Sequence, residues 1–126
     1  MRLLLDTAAL IYAVEEPERL SKIAASAWQS AANVLQLSAV SISEIAIKSS
    51  LGKLDFSGLT LQRSLHSLVI SVLPFNAAHA FQLFELPFHH RDPFDRQIIA
   101  QALSENIPVM TPDPKFSLYE GLRIVW

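Results

Sequence analysis

Residues 2–7, RLLLDT, place a carboxylate directly after a short run of leucines. An unbroken apolar run of this length is typical of a strand that is buried on both faces, as in a parallel sheet covered by helices. A carboxylate at the end of such a strand is partly buried, and a buried charge is costly unless it is paired or bound to a metal ion. Of the acids in this chain, Asp6 is therefore the one whose presence is hardest to explain by a purely structural role.

The rest of the chain alternates between helical and strand patterns. Helices are predicted at about 8–14, 21–32, 41–51, 61–68, 77–84 and 92–104, and further strands at 34–38, 70–73, 108–111 and 123–125. Strands separated by helices need crossover connections, which predict a three-layer α/β fold with a short, mostly parallel central sheet flanked by helices. In such folds ligands bind beyond the carboxyl ends of the strands.

Composition limits the classes of protein that this chain can belong to. Its 126 residues are 51% hydrophobic and 17% charged, without a repeat or linker, so we expect one domain spanning 1–126 and no disorder. It has no cysteine, which excludes disulfides and thiolate metal sites and fits the cytoplasm. No apolar run approaches the roughly 20 residues of a membrane span, so we expect a soluble, unanchored protein. A net charge of −2 does not predict nucleic-acid binding, which would have to come from a local site.

Four further acids are predicted to lie near the same edge of the sheet as Asp6. Glu44 falls in the first turn of a predicted helix, Asp92 and Asp95 lie at the start of another, and Asp113 follows the strand that ends near residue 111. Asp92 and Asp95 are one helical turn apart, so their side chains can point the same way.

Each of these acids also has a purely structural explanation. Ser41 and Glu44 have the spacing of a capping box. Asp92 and Asp113 each precede a proline, as helix N-caps often do, and Asp95 would then suit the helix dipole. The functional argument is joint, because several carboxylates at close quarters repel one another unless protons or cations intervene. Oxygen ligands of this kind select Mg²⁺ or Mn²⁺, which serve phosphoryl chemistry.

Several motifs in order resemble those of one protein family. They are LLLDT at 3–7, SEIAIK at 43–48 with LGKL at 51–54, HRDPFDR at 90–96, and TPDPKF at 111–116. Together they are similar to the motifs of PIN-domain ribonucleases of the VapC type, the toxins of toxin–antitoxin pairs. The resemblance extends from Arg2 to Trp126.

The resemblance implies a fold, an activity and a set of site residues. It implies an endoribonuclease that uses Mg²⁺ or Mn²⁺ to hydrolyse RNA phosphodiester bonds, with Asp6, Glu44, Asp95 and Asp113 as catalytic and metal-binding residues. Asp92 is a second candidate beside Asp95. The family also implies a homodimer and a small antitoxin protein that blocks the pocket, and it leaves open whether the chain is a toxin or a housekeeping nuclease.

Two residues depart from the family pattern. Pro112 stands where relatives commonly carry a small residue, so residues 111–114 would hold Asp113 in a stiffer, altered position. Ser43 replaces a bulky residue before Glu44. Thr111 matches a hydroxyl position that could orient a ligand or water.

Other polar residues near the motifs allow two interpretations. The basic residues around the acids could contact RNA phosphates or could be ordinary solvated charges; these are Lys48, Lys53, Arg91, Arg96 and Lys115. His89 and His90 could contact RNA or shuttle protons, but we expect exposed loop residues without a role. His66 and His79 are predicted to be partly buried structural residues.

The sequence is compatible with two other classes of function. The first is a catalytically inactive PIN-like module that uses its acidic pocket to bind a partner protein. The second is a phosphatase or phosphotransfer domain with an acid at a strand end. A haloacid-dehalogenase-type phosphatase would need a second acid two positions after the first, where this chain has Ala8.

Overall fold

The computed structural model describes all residues, Met1–Trp126, and contains a five-stranded parallel sheet. Its strands, in chain order, are β1 (Arg2–Leu5), β2 (Val34–Ser38), β3 (Ser71–Leu73), β4 (Val109–Met110) and β5 (Ile124–Val125). They lie in the order β3-β2-β1-β4-β5, and every neighbouring pair is parallel. The first strand is thus central, and its carboxyl end lies between those of β2 and β4.

Helices cover both faces of this sheet. They are α1 (Thr7–Glu15), α2 (Lys22–Gln29), α3 (Ala39–Ser50), α4 (Gly58–Ser67), α5 (Ala77–Gln82) and α6 (Pro93–Glu105). Short 3₁₀ turns lie at Pro17–Arg19, Leu83–Glu85 and Pro114–Leu118. None of the helices is both long enough and apolar enough to cross a bilayer.

Alternation along β1 divides the core into two halves. Leu3 and Leu5 pack into one apolar cluster with residues of α1, α2 and α4, whereas Leu4 packs into a second cluster with residues of α6. All three leucines are fully buried, and each such side chain contributes about 1.5–3 kcal/mol relative to exposure. These two clusters around one sheet confirm the predicted three-layer α/β fold.

The structure corrects the predicted start of α3. The helix begins at Ala39, and Ser38 caps it by accepting a hydrogen bond from the Val40 N–H at 3.0 Å. The capping box predicted for Ser41 and Glu44 is therefore wrong: β2 runs directly into the helix, which places Glu44 in its second turn. The helix predicted at 77–84 is also shorter, because it tightens into a 3₁₀ turn after Gln82.

Candidate active site

The four predicted acids lie together in one cavity. Asp6, Glu44, Asp95 and Asp113, with Asp92, line a cavity of about 450 Å³ beyond the carboxyl ends of β1 and β4. Five carboxylates from four separate parts of the chain thus share one opening.

Asp6 is held by two hydrogen bonds at the end of the central strand. Its Oδ1 accepts from the Ala9 N–H at 2.7 Å, which caps α1, and its Oδ2 accepts from the Thr111 hydroxyl at 2.6 Å. The residue is only 3% exposed. Burial raises the pKa of Asp6 to about 7, although the two hydrogen bonds oppose the shift and the nearby Asp95 and Asp113 charges add to it.

Glu44 is oriented by α1 and by its own helix. Its Oε1 accepts from the Thr7 hydroxyl at 2.6 Å, and its Oε2 contacts the Lys48 Nζ at 2.5 Å. The hydrogen bond to Glu44 raises the pKa of Lys48. Lys53 lines the same cavity, so two ammonium groups accompany the five carboxylates.

Asp92 and Asp95 belong to the first turn of α6. The Oδ1 of Asp92 accepts from the backbone N–H groups of Phe94 and Asp95 at 2.8 and 3.2 Å, so the predicted N-cap is present. Burial, together with the nearby charges of Asp92 and Glu44, raises the pKa of Asp95 to about 7. Asp92 therefore both caps α6 and lines the acidic cavity.

Asp113 follows β4 and is tied to the rest of the site. Its Oδ1 accepts from the Lys115 N–H at 2.9 Å, and its own N–H donates to the Thr111 hydroxyl oxygen at 3.0 Å. Since the Thr111 hydroxyl donates to Asp6, it links two of the acids. Pro112 thus does not remove Asp113 from the cavity.

The prediction for His90 is wrong. The residue is buried, and its Nε2 lies 2.7 Å from Asp113 Oδ2 and 3.2 Å from Asp95 Oδ2. No helical or strand pattern includes residue 90, so the sequence predicts only a polar loop there. Its position two residues before Asp92 was the available signal. His89 is exposed as predicted and packs edge-on against Tyr119.

The remaining histidines and most of the basic residues do not line the acidic cavity. His79 is buried, as a structural residue should be, and its Nε2 lies 3.1 Å from Glu105 Oε2, whereas His66 is exposed, contrary to the prediction. The Arg96 guanidinium donates to the carbonyls of Pro87 and His90. Of the basic residues considered from sequence, only Lys48 and Lys53 line the cavity.

The donor set of the cavity fits a hard divalent cation. Its acidic side chains offer oxygen ligands, the kind that Mg²⁺ and Mn²⁺ prefer, and the chain has no thiolate to favour zinc. The raised pKa values of Asp6 and Asp95 show that their negative charges are poorly compensated by the protein. A cation among these oxygens would supply that compensation.

The parallel sheet and the acidic cavity at its carboxyl edge define an α/β domain with a candidate site built from carboxylates. The sequence profile of the PIN domain matches residues 3–122, and the chain belongs to this family. PIN domains are generally nucleases, enzymes that hydrolyse phosphodiester bonds. No curated protein sequence matches the chain significantly.

Solved structures share the fold. The chain is similar to a chain of VapBC2 from Rickettsia felis bound to a promoter DNA fragment, with 20% identity, a TM-score of 0.74 and 98% and 97% of the two chains covered. It is similar to a chain of DNA-bound VapBC from Salmonella typhimurium, with 16% identity, a TM-score of 0.68 and 98% and 96% covered. FitAcB from Neisseria gonorrhoeae gives 19% identity, a TM-score of 0.63 and 98% and 96% coverage. At these identities the likeness concerns the fold.

Proposed function

We propose that this protein is a divalent-metal-dependent endoribonuclease and the toxin of a type II toxin–antitoxin pair. The observation that carries the proposal is the convergence of Asp6, Glu44, Asp95 and Asp113 on one cavity in a chain of the PIN family. Convergence of like charges costs stability, and a fold that keeps them together gains from a bound cation.

The acids divide into two pairs by their surroundings. Asp6 and Asp95 would be the main ligands, because burial leaves their charges least compensated, as their raised pKa values indicate. Glu44 is paired with the Lys48 ammonium and Asp113 with the His90 ring N–H, so these two acids would bind a second ion or hold its water. When bound, Mg²⁺ or Mn²⁺ neutralises charge on the phosphoryl group and makes water a better nucleophile.

Hydroxyl groups hold the acids in place for this chemistry. Thr111 fixes Asp6 Oδ2, and Thr7 fixes Glu44 Oε1, each with a 2.6 Å hydrogen bond. Both threonines are buried, so these bonds are shielded from competing water. Preorganised ligands of this kind need little rearrangement when substrate arrives.

Lys48 and Lys53 would contact the phosphates of the substrate. They are the two cationic side chains of the cavity, and the chain as a whole carries a net charge of −2. RNA binding would therefore depend on this local site. By analogy with the family, the products would carry a 5′-phosphate and a 3′-hydroxyl.

The partners follow from the same family. The solved relatives are complexes named VapBC and FitAcB, which supports a small cognate antitoxin for this chain. We further propose that residues 1–126 act as a single PIN domain, that two copies form a homodimer, and that the protein works in the cytoplasm.

Cleavage of a mixed pool of structured RNAs tests the proposal. The wild-type protein is expected to cut RNA with Mg²⁺ or Mn²⁺ and to stop in EDTA. A protein that binds Mn²⁺ tightly but cuts nothing in the pool, even at high protein concentration, would contradict the nuclease. Partner binding that survives loss of metal would then favour the inactive interaction module.

A further inference from the structure

His90 is a buried residue in a loop that is otherwise largely exposed to solvent. Among residues 87–92 it alone is buried, whereas its neighbours His89 and Arg91 are exposed. Its backbone N–H donates to the Tyr119 hydroxyl at 2.8 Å, and its ring packs edge-on against Phe116, with the ring centroids 5.8 Å apart. The loop is thus folded inward at one residue, and that residue is polar.

The hydrogen bonds of the ring define its tautomer. The Asp92 backbone N–H donates to Nδ1 at 3.1 Å, and a backbone amide can act only as a donor. Nδ1 is therefore the acceptor, and the ring proton lies on Nε2. Nε2 lies 2.7 Å from Asp113 Oδ2, to which its N–H donates, and 3.2 Å from Asp95 Oδ2, so the ring contacts both carboxylates.

This tautomer decides between two roles for the ring. Potential ligand atoms of His90, Asp95 and Asp113 all lie within 4.8 Å of one another, a spacing that would suit a cation held by all three. A ring nitrogen binds a metal through a free lone pair. The lone pair of Nδ1 is used by the Asp92 N–H, and Nε2 carries the proton, so the ring donates to Asp113 instead of binding the metal.

We propose that His90 is a positioning residue, which holds Asp95 and Asp113 together in the arrangement that receives the divalent cation. Asp95 comes from α6 and Asp113 follows β4, and the buried His90 ring donates to Asp113 while lying 3.2 Å from Asp95. The proposal rests on the proposed function, since it concerns the same cation. Donors that orient metal ligands commonly change metal affinity about 10- to 100-fold when removed.

Two variants with amide side chains test the two ring nitrogens of His90 separately. In His90→Gln the amide nitrogen can replace Nε2 and still donate to the acids. In His90→Asn the amide oxygen can replace Nδ1 and still accept from the Asp92 N–H, but no donor reaches the acids. His89→Asn is the matched control, because the His89 ring is exposed and contacts Tyr119.

Calorimetric titration with Mn²⁺ on the full chain, with thermal unfolding recorded alongside, tests the proposal. We expect His90→Asn to bind Mn²⁺ about 10- to 100-fold more weakly than wild type. His90→Gln should retain most of the affinity, and His89→Asn should match wild type. In RNA cleavage His90→Asn should lower kcat with little change in KM, since the lysines of the cavity remain.

Several results would overturn the proposal. Wild-type Mn²⁺ affinity in folded His90→Asn would do so, as would equal losses in the Asn and Gln variants, which indicate a structural role. If His90→Asn does not fold, ¹⁵N NMR of the wild-type ring decides: a proton on Nδ1 contradicts the assignment. A wild-type protein that binds Mn²⁺ but cuts no RNA contradicts the nuclease alone, and the titration still decides the role of His90.

Discussion

The Thr111 hydroxyl donates a 2.6 Å hydrogen bond to Asp6 Oδ2, although the two residues are 105 positions apart in the chain. The bond joins the segment after β4 to the end of β1 inside the protein, where both residues are buried. The same hydroxyl oxygen accepts from the Asp113 N–H, so one small side chain connects two acids of the cavity.

Replacing Thr111 with valine should weaken both the fold and the site. The change keeps the shape but leaves Asp6 Oδ2 and the Asp113 N–H without their partner, which should lower the free energy of unfolding by about 1–3 kcal/mol. It also removes a bond that lowers the pKa of Asp6, so less of the acid is ionised at neutral pH. Urea denaturation and RNA cleavage rates check both effects. Thr111→Ser keeps the hydroxyl and should stay close to wild type; equal losses in both variants would argue against the hydroxyl.

The stability of the metal-free protein should fall as pH rises from about 4 to 7. Burial raises the pKa of Asp6 from 3.8 to about 7, so the folded state holds the proton over a range in which the unfolded chain has released it. The stabilisation is complete below pH 3.8 and is lost as pH rises through 7. Asp95 contributes in the same direction.

The variant Asp6→Asn isolates this effect. It removes one titrating group, so the slope of unfolding free energy against pH should change by up to about 1.4 kcal/mol per pH unit inside that window. Urea denaturation in EDTA at several pH values measures the slope. Identical slopes in the variant and in wild type would show that Asp6 is not the group that titrates.

Mn²⁺ should stabilise the protein more strongly at pH 8 than at pH 6. Ligand carboxylates must be deprotonated to bind, and protons compete with the cation at the lower pH because Asp6 and Asp95 have pKa values of about 7. At one hundred times its dissociation constant, a ligand adds about 2.7 kcal/mol of stability. Thermal unfolding measures the gain, which should disappear in Asp95→Asn. A similar gain in that variant would place the ion elsewhere.

Lys53→Gln should weaken RNA binding without slowing the chemical step. Lys53 is exposed at the rim of the cavity, where it can contact a phosphate. Losing one such contact on single-stranded RNA should reduce the slope of log affinity against log salt by about 0.7. Cleavage assays at several salt concentrations should show a higher KM and an unchanged kcat. The control is Lys22→Gln, because Lys22 is an exposed residue of α2 outside the cavity. Equal changes in KM in the two variants would show that binding depends on overall charge and not on Lys53.

Much of the fold follows from local sequence patterns. The leucines of β1 and the crossover pattern predicted a parallel sheet, and the rule that ligands bind at carboxyl ends brought Asp6 and Asp113 to one edge. The start of α3 was misplaced because Ser38 and Ser41 both suit an N-cap, and only the direct passage from β2 into the helix selects Ser38.

The parts of the site that sequence did not predict depend on contacts between distant residues. The bond from His90 to Asp113 spans 23 residues, and that from Thr7 to Glu44 spans 37. No local periodicity encodes such pairs, because they depend on how α1, α3 and α6 pack on the sheet. The raised pKa values of Asp6 and Asp95 likewise come from burial, which only the folded structure provides.

The most direct test of the metal-dependent nuclease compares Asp6→Asn with Asp55→Asn on the same RNA pool in Mg²⁺. Asp55 is exposed and does not line the cavity, so its variant has the same chemical change outside the site. We expect Asp55→Asn to cut RNA at the wild-type rate in Mg²⁺ and not in EDTA, whereas folded Asp6→Asn should cut none under either condition. Metal-dependent cleavage by Asp6→Asn at the wild-type rate would contradict it.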